Sequence, residues 1–321
     1  MLVMLCLVAM FAQEPEPVAK DELVHDRAVV GIAWSADSKL AITATRPGDI
    51  LLWNGQTGAR LATLKGHTKP IRDLSSVGDL LASLDTSGEV ILWDLSTRKK
   101  LQGWKVTEAI EAIALRPDGK HLFGTDAEGA IRQWEVGTGK ELRTLRLGNL
   151  KEQVYRIAFA DRDRFAISSR VTLNEGSSWS AYQVYDLVQA RSFTGRTDKL
   201  PADQREKYLH HMPHLAWSSD GKAWALVGET YLVLPKFAGR ISLNPDEGPV
   251  VGVGLSPDGK QVVFATAKGS VRVHETDEKG KELARTDRLG KLMSFRLAPD
   301  GKRYLAVRGD RHVILRPIPT K

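Results

Sequence analysis

Thiols are all but missing from this chain of 321 residues, which holds a single cysteine, Cys6. Cys6 lies inside the apolar run Met1 to Ala12, which Gln13-Glu14-Pro15-Glu16-Pro17 then ends with charge and proline. A run of this length is well short of the roughly 20 apolar residues that span a bilayer, and it fits the hydrophobic region of a secretory signal cleaved near Ala12. No Lys or Arg precedes it, which is atypical of such signals. Residues 1–12 are therefore expected to be a signal peptide and residues 13–17 a linker, with the protein secreted or periplasmic. The mature chain would then hold no thiol, which excludes disulfides and thiol redox chemistry. The residues before Cys6, Val3-Met4-Leu5, lack the small side chain expected ahead of an acylated cysteine.

Catalytic signatures are also missing. Gly137-Thr138-Gly139-Lys140 has the look of a phosphate loop, but Trp134 stands where the first glycine belongs and Glu141 follows the lysine in place of Ser or Thr. Gly252-Val253-Gly254 continues into Leu255-Ser256-Pro257, so the dinucleotide fingerprint breaks at its third glycine. No Gly-x-Ser-x-Gly elbow occurs, and the serines of Gly176-Ser177-Ser178-Trp179-Ser180 have no base to activate them. No cofactor is implied, and the chain reads as non-enzymatic.

What is present is a repeat. Composition is ordinary for a globular protein, with 42% hydrophobic and 26% charged residues. Leu51-Leu52-Trp53-Asn54, Ile91-Leu92-Trp93-Asp94 and Arg132-Gln133-Trp134-Glu135 superpose, and their tryptophans are 40 and 41 residues apart. A period near 40 with four strands per unit is the signature of a propeller blade. Tyr185, Leu234, His274 and Leu315 continue the series at spacings of 51, 49, 40 and 41.

A second marker recurs independently, in the turn between the first and second strands of each unit. It reads Ser35-Ala36-Asp37-Ser38-Lys39, Arg116-Pro117-Asp118-Gly119-Lys120, Ser218-Ser219-Asp220-Gly221-Lys222, Ser256-Pro257-Asp258-Gly259-Lys260 and Ala298-Pro299-Asp300-Gly301-Lys302. Aspartate folds the turn with its own side chain, and glycine takes the backbone conformation the turn requires. Gly78-Asp79 and Asp161-Arg162-Asp163 hold the same place in degraded form, which makes seven units. Small residues ahead of the third strand, as in Ala82-Ser83, Gly124-Thr125 and Ala265-Thr266, suit blades that converge toward an axis.

With Gly66-His67 and Trp93-Asp94 as its two signature dipeptides, the chain resembles the WD40-repeat family from about Val18 to Lys321. The resemblance implies an all-β, seven-bladed propeller, of a degenerate, bacterial extracytoplasmic type. It also implies a buried set of His, Ser or Thr, Asp and Trp stiffening a blade. His67, Ser83 and Trp93 supply three members, and Ser87 occupies the position assigned to the aspartate. The last repeat offers strands near Met293 to Leu297, Tyr304 to Val307 and His312 to Leu315, and lacks a fourth. Asp21 to His25 aligns with a fourth strand and is expected to complete the last blade, closing the ring.

Two long intervals mark insertions, Val171 to Ala181 within blade 4 and Thr197 to Pro213 between blades 4 and 5. Blade topology puts both on one face of the disc. They hold Asn174, Glu175, Trp179, Tyr182, Arg205, Lys207, Tyr208, His210 and His211, a mixture of aromatic and basic residues that suits a binding surface. The competing reading is that Trp179 and Tyr208 pack the inserts onto the disc. His210, His211 and His214 lie close together, but no acidic residue stands at a ligand spacing, so no metal site is assigned.

The opposite face carries the repeated turns and their lysines, in a chain of net charge +7. It could attract an anionic partner surface, although aspartates of the same turns offset the charge. Without interleaved aromatics it gives no basis for specific nucleic-acid binding. The expected function is a scaffold for a protein partner that does not span the membrane. The alternatives are a propeller hydrolase or lyase at the mouth of the channel, and a carbohydrate or small-ligand binder using Trp179 and Tyr182. Against the enzyme, Ile32-Ala33-Trp34, Ile113-Ala114-Leu115 and Val253-Gly254-Leu255 predict an apolar channel wall.

Overall fold

A computed structural model of the chain describes residues 21–126, 129–146, 152–172, 178–187, 191–196, 214–218, 221–227, 231–234 and 239–320. Among them, the strands form seven four-stranded sheets. The expected signal and linker, residues 1–17, lie outside the described residues. The first strands of the seven blades are Val29–Trp34, Ile71–Val77, Ile110–Leu115, Glu152–Phe159, Leu215–Trp217, Val250–Leu255 and Leu292–Leu297. Each of these packs against the first strands of both neighbouring blades, and blade 7 packs against blade 1. The sheets therefore form one closed ring around a central channel.

Closure follows the expected route. Glu22–Val24 pairs antiparallel with His312–Pro317, in the register Glu22↔Ile314, Leu23↔Val313 and Val24↔His312. It supplies the outer strand of blade 7 and satisfies backbone groups that would otherwise form an open edge. Leu23 is buried in a core shared by blades 7 and 1, with Trp34, Trp53, Val313 and Leu315. Glu22 pairs with Arg308 and, at 2.9 Å, with His312.

The core lies between blades, where each sheet lays one face on the next. Taper around the axis dictates side-chain size. A Cβ on Gly254 would stand 2.4 Å from Leu297 Cβ, and one on Gly252 would stand 2.5 Å from the Phe295 carbonyl oxygen. Farther out, Trp53, Trp93 and Trp134 on the third strands fill the wider gap and are buried.

The turns obey local chemistry. Asp37 Oδ1 accepts from Ser35 Oγ at 2.7 Å and from the Lys39 amide at 3.0 Å. Asp258 accepts the same pair of bonds from Ser256 and Lys260. The residue after the aspartate takes positive φ in every full copy: Ser38 at 62°, Gly119 at 66°, Gly221 at 66°, Gly259 at 68° and Gly301 at 71°. The turn after the third strand works similarly. Asp94 Oδ1 accepts from the Ser96 amide at 2.8 Å, Ser96 Oγ at 2.7 Å and the Thr97 amide at 3.0 Å. The Ser96 hydroxyl and the Thr97 amide hold the Asp94 carboxyl at about 2.

Candidate interaction face and its supporting network

Blade 2 contains a complete buried relay. His67 Nε2 meets Ser83 Oγ at 2.7 Å, and the Trp93 indole Nε1 donates to the same oxygen at 2.8 Å. His67 Nδ1 meets Asp85 Oδ2 at 3.1 Å. The fourth member is therefore Asp85, and the assignment of that position to Ser87 is corrected. Ser87 serves the aspartate instead: its amide and its Oγ each donate to Asp85 Oδ1 at 2.8 Å. Gly66 precedes His67 for a steric reason, because a Cβ there would stand 2.9 Å from the Trp93 ring.

The electrostatics of the relay favour neutral histidine and ionised aspartate. Burial lowers the His67 pKa below its ordinary value, and Asp85 and Glu89 oppose this only in part. Burial alone would raise Asp85, but hydrogen bonds from Ser87, the Glu89 amide and His67 outweigh it and hold the carboxyl down. His67, Asp85 and Glu89 are also the one grouping among the described residues whose atoms converge as metal ligands do. The hydrogen bonds to Ser83 and Asp85 already occupy both ring nitrogens of His67, so the set reads as a brace within the blade.

Blade 1 holds a second relay that sequence reasoning missed. His25 Nε2 meets Thr43 Oγ1 at 2.8 Å, and Trp53 Nε1 donates to that oxygen at 2.9 Å. His25 Nδ1 meets the carbonyls of Leu23 at 3.1 Å and Arg311 at 3.2 Å. The histidine that braces blade 1 thus arrives with the closing strand of blade 7. The usable signal was the spacing: His25 stands 18 residues before Thr43, close to the 16 between His67 and Ser83.

The rim of the channel is the most regular surface feature. In six blades the first strand breaks register with the second, between its first and third residues at Val29/Gly31, Ile71/Asp73, Ile110/Ala112, Val250/Gly252 and Leu292/Ser294, and two residues farther in at Val154/Arg156 of blade 4. The residue left over each time is a bulge: Val30, Arg72, Glu111, Tyr155, Val251 and Met293. Bulges re-aim a side chain out of the ladder. Val30, Arg72, Glu111, Val251 and Met293 lie where the chain enters the inner strand, so they line one mouth of the channel. Val251, Met293 and Val30 come from the consecutive blades 6, 7 and 1; Met293 is 59% and Val30 36% exposed, while Val251 is half-buried against the core between blades 6 and 7. Arg72 and Glu111, from blades 2 and 3, form an ion pair. An apolar arc continues into a charged one.

Blade connectivity assigns both expected insertions to the face of this rim. The first lengthens the blade 4 hairpin, as expected: Val171 and Thr172 are strand residues paired with Trp179 and Ser178, and residues 173–177 lie outside the described residues. Most of the extra length has become a longer two-stranded ribbon. Tyr182 stands opposite Ser168 on one side and Gly195 on the other. Asn174, Glu175 and the entire second insertion, with Arg205, Lys207, Tyr208, His210 and His211, lie outside the described residues. His214 directly precedes the strand Leu215–Trp217.

On the opposite face, aspartates offset lysines of the same turns. Lys39 pairs with Asp37 at 3.3 Å and Lys260 with Asp258 at 4.0 Å, all of them solvated. Among the described residues no helix is long and apolar enough to cross a membrane.

Ring, blades and braced relay together define the class: the chain is a seven-bladed, all-β propeller with the fold of WD40 propellers. The model of the family described as WD domain, G-beta repeat matches residues 58–94, which contain the blade 2 relay. The chain is 34% identical over 96 residues to periodic tryptophan protein 2 homolog of Schizosaccharomyces pombe, covering 29% of this chain and 11% of that protein. It is 28% identical over 116 residues to eukaryotic translation initiation factor 3 subunit I of Neurospora crassa, covering 36% of this chain and 33% of that one. The chain thus spans about a tenth to a third of these relatives. They are eukaryotic, and the bacterial type expected from the sequence gains no support from them; neither name denotes an enzyme. Among solved structures, the Cps50 (Swd1) β-propeller domain of Myceliophteria thermophila matches with a TM-score of 0.70 at 14% identity, over 92% of this chain and 98% of that one. U3-55K matches with a TM-score of 0.70 at 14% identity, over 94% and 100%.

Proposed function

We propose that this protein is a rigid, non-enzymatic platform that binds a protein partner through the face bearing the bulge rim and the two insertions. The observation that carries this reading is the apolar arc of Val251, Met293 and Val30 beside the Arg72–Glu111 pair. Exposed methionine and valine next to an arginine, on a rigid ring, is the composition of an interface core rather than of a solvated surface. One relative's name, translation initiation factor 3 subunit I, is that of a component of a multi-subunit factor, which supports an assembly role. The apolar run of residues 1–12 supports a location outside the cytoplasm, secreted or periplasmic, and fractionation of cells producing the tagged full chain tests that separately.

The interaction is tested by capture from the native source with the intact chain, with Met293→Glu and Val30→Glu, and with residues 173–177 or 197–213 shortened. The reading expects a protein retained by the intact chain and lost from the rim variants or from the shortened ones, with circular dichroism unchanged. Equal retention by all versions would overturn it.

A further inference from the structure

The channel wall is less apolar than the first strands of blades 1, 3 and 6 led one to expect. Ile113-Ala114-Leu115 and Val253-Gly254-Leu255 do line it with apolar groups, but blades 2, 4 and 7 bring Asp73, Arg156 and Arg296 to the same cavity of about 410 Å³. A volume of that order lies within the range of small-ligand sites. Three charges from three blades converge there, two positive and one negative.

Asp73 is largely committed to the scaffold. Its Oδ2 accepts the Ile113 amide at 2.9 Å, and its Oδ1 lies 3.9 Å from Arg156 Nη1. That separation is at the outer limit of an ion pair and too long for a hydrogen bond. Arg156 keeps a buried Nε with no hydrogen-bond partner. Arg296 has its neighbour's carbonyl, Phe295 O, at 3.2 Å from Nη1. Burial first, and then repulsion from Arg156, lower the Arg296 guanidinium to about 10 against the attraction of Asp73. One carboxylate therefore faces two guanidinium groups in a partly dehydrated tunnel, where unpaired charge is costly. An anion is the species that relieves it.

We infer that the central channel is a binding site for an oxyanion, a carboxylate or phosphate group held between Arg156 and Arg296. Guanidinium groups match both chemistries through paired N–H donors. The group can arrive on a free small molecule or on an acidic side chain of a partner that reaches into the channel mouth inside the bulge rim.

Isothermal titration of the full chain with inorganic phosphate, against chloride at matched ionic strength, reads the first source, and titration with a short oligoglutamate peptide reads the second. Saturable binding of either probe in preference to chloride is expected. Arg296→Met and Arg156→Gln should each weaken it about tenfold, the loss of a charge-assisted hydrogen bond. Asp73→Asn, which keeps an oxygen for the Ile113 amide but removes the competing charge, should tighten it. The opposite sign of that third variant separates anion binding from damage to the fold, and circular dichroism checks each variant. Phosphate and peptide that behave as chloride does, or binding indifferent to all three substitutions, would overturn the inference.

Discussion

His67 and Asp85 meet at 3.1 Å with both side chains wholly buried, joining the link that enters blade 2 to the end of its second strand. Because that contact continues through Ser83 to Trp93, one substitution leaves several polar groups unsatisfied. Asp85→Ala is expected to lower stability by about 2–4 kcal/mol, and Ser87→Ala by roughly 1 kcal/mol or less, since Ser87 only supports the aspartate. Denaturant unfolding of the two variants checks the order; equal losses would return Ser87 to the central role.

The same relay makes stability depend on pH. Burial depresses His25 and His67 below the ordinary 6.5, so the unfolded chain binds these protons more readily than the folded one. Their contribution is complete above pH 6.5 and is lost as pH falls through the folded values. Thermal midpoints should decline from about pH 7.5 to about pH 5.5, and His67→Gln should flatten that slope. Asp85, held below its usual value, adds a further loss only under stronger acid, below 3.8.

Arg98 occupies a position that other blades give to glycine. Its φ is 59°, while the matching Gly58 and Gly139 stand at 67° and 69°. Arg98→Gly should raise stability by about 1 kcal/mol, by removing left-handed strain at an exposed site. Gly139→Ala should lower it, since a Cβ there would lie 2.8 Å from ring atoms of Trp104. Thermal melts of the two variants should move in opposite directions.

The closing strand hangs on one buried side chain. Leu23→Ala should cost about 2–4 kcal/mol. Deleting residues 1–27 should do more, exposing the edge of His312–Pro317 and removing His25 from blade 1. Light scattering should then show aggregation.

Much of the fold was legible because a propeller repeats its instructions. Turns such as Ser256-Pro257-Asp258-Gly259-Lys260 act through bonds within five residues, so their meaning survives without tertiary context. The closing strand was legible by counting, since the last repeat lacked one element that the N-terminus could supply. Ser87 was misread because three-quarters of the relay is set by distance along the chain, whereas the aspartate is chosen by where the second strand's end points. The blade 4 insertion was legible as added hairpin length, but length alone does not say how far it pairs with itself, and here the ladder continues as far as Thr172 and Ser178.

Residue order alone determined the number of blades, their turns and the way the ring closes, since those follow from local hydrogen bonding and a period near 40. Only the tertiary structure decided that Val30, Val251 and Met293 share a rim and that Asp73, Arg156 and Arg296 share a channel. Each set is scattered along the chain, one residue to a blade, and becomes a surface or a site only when curvature brings the inner strands to a common axis.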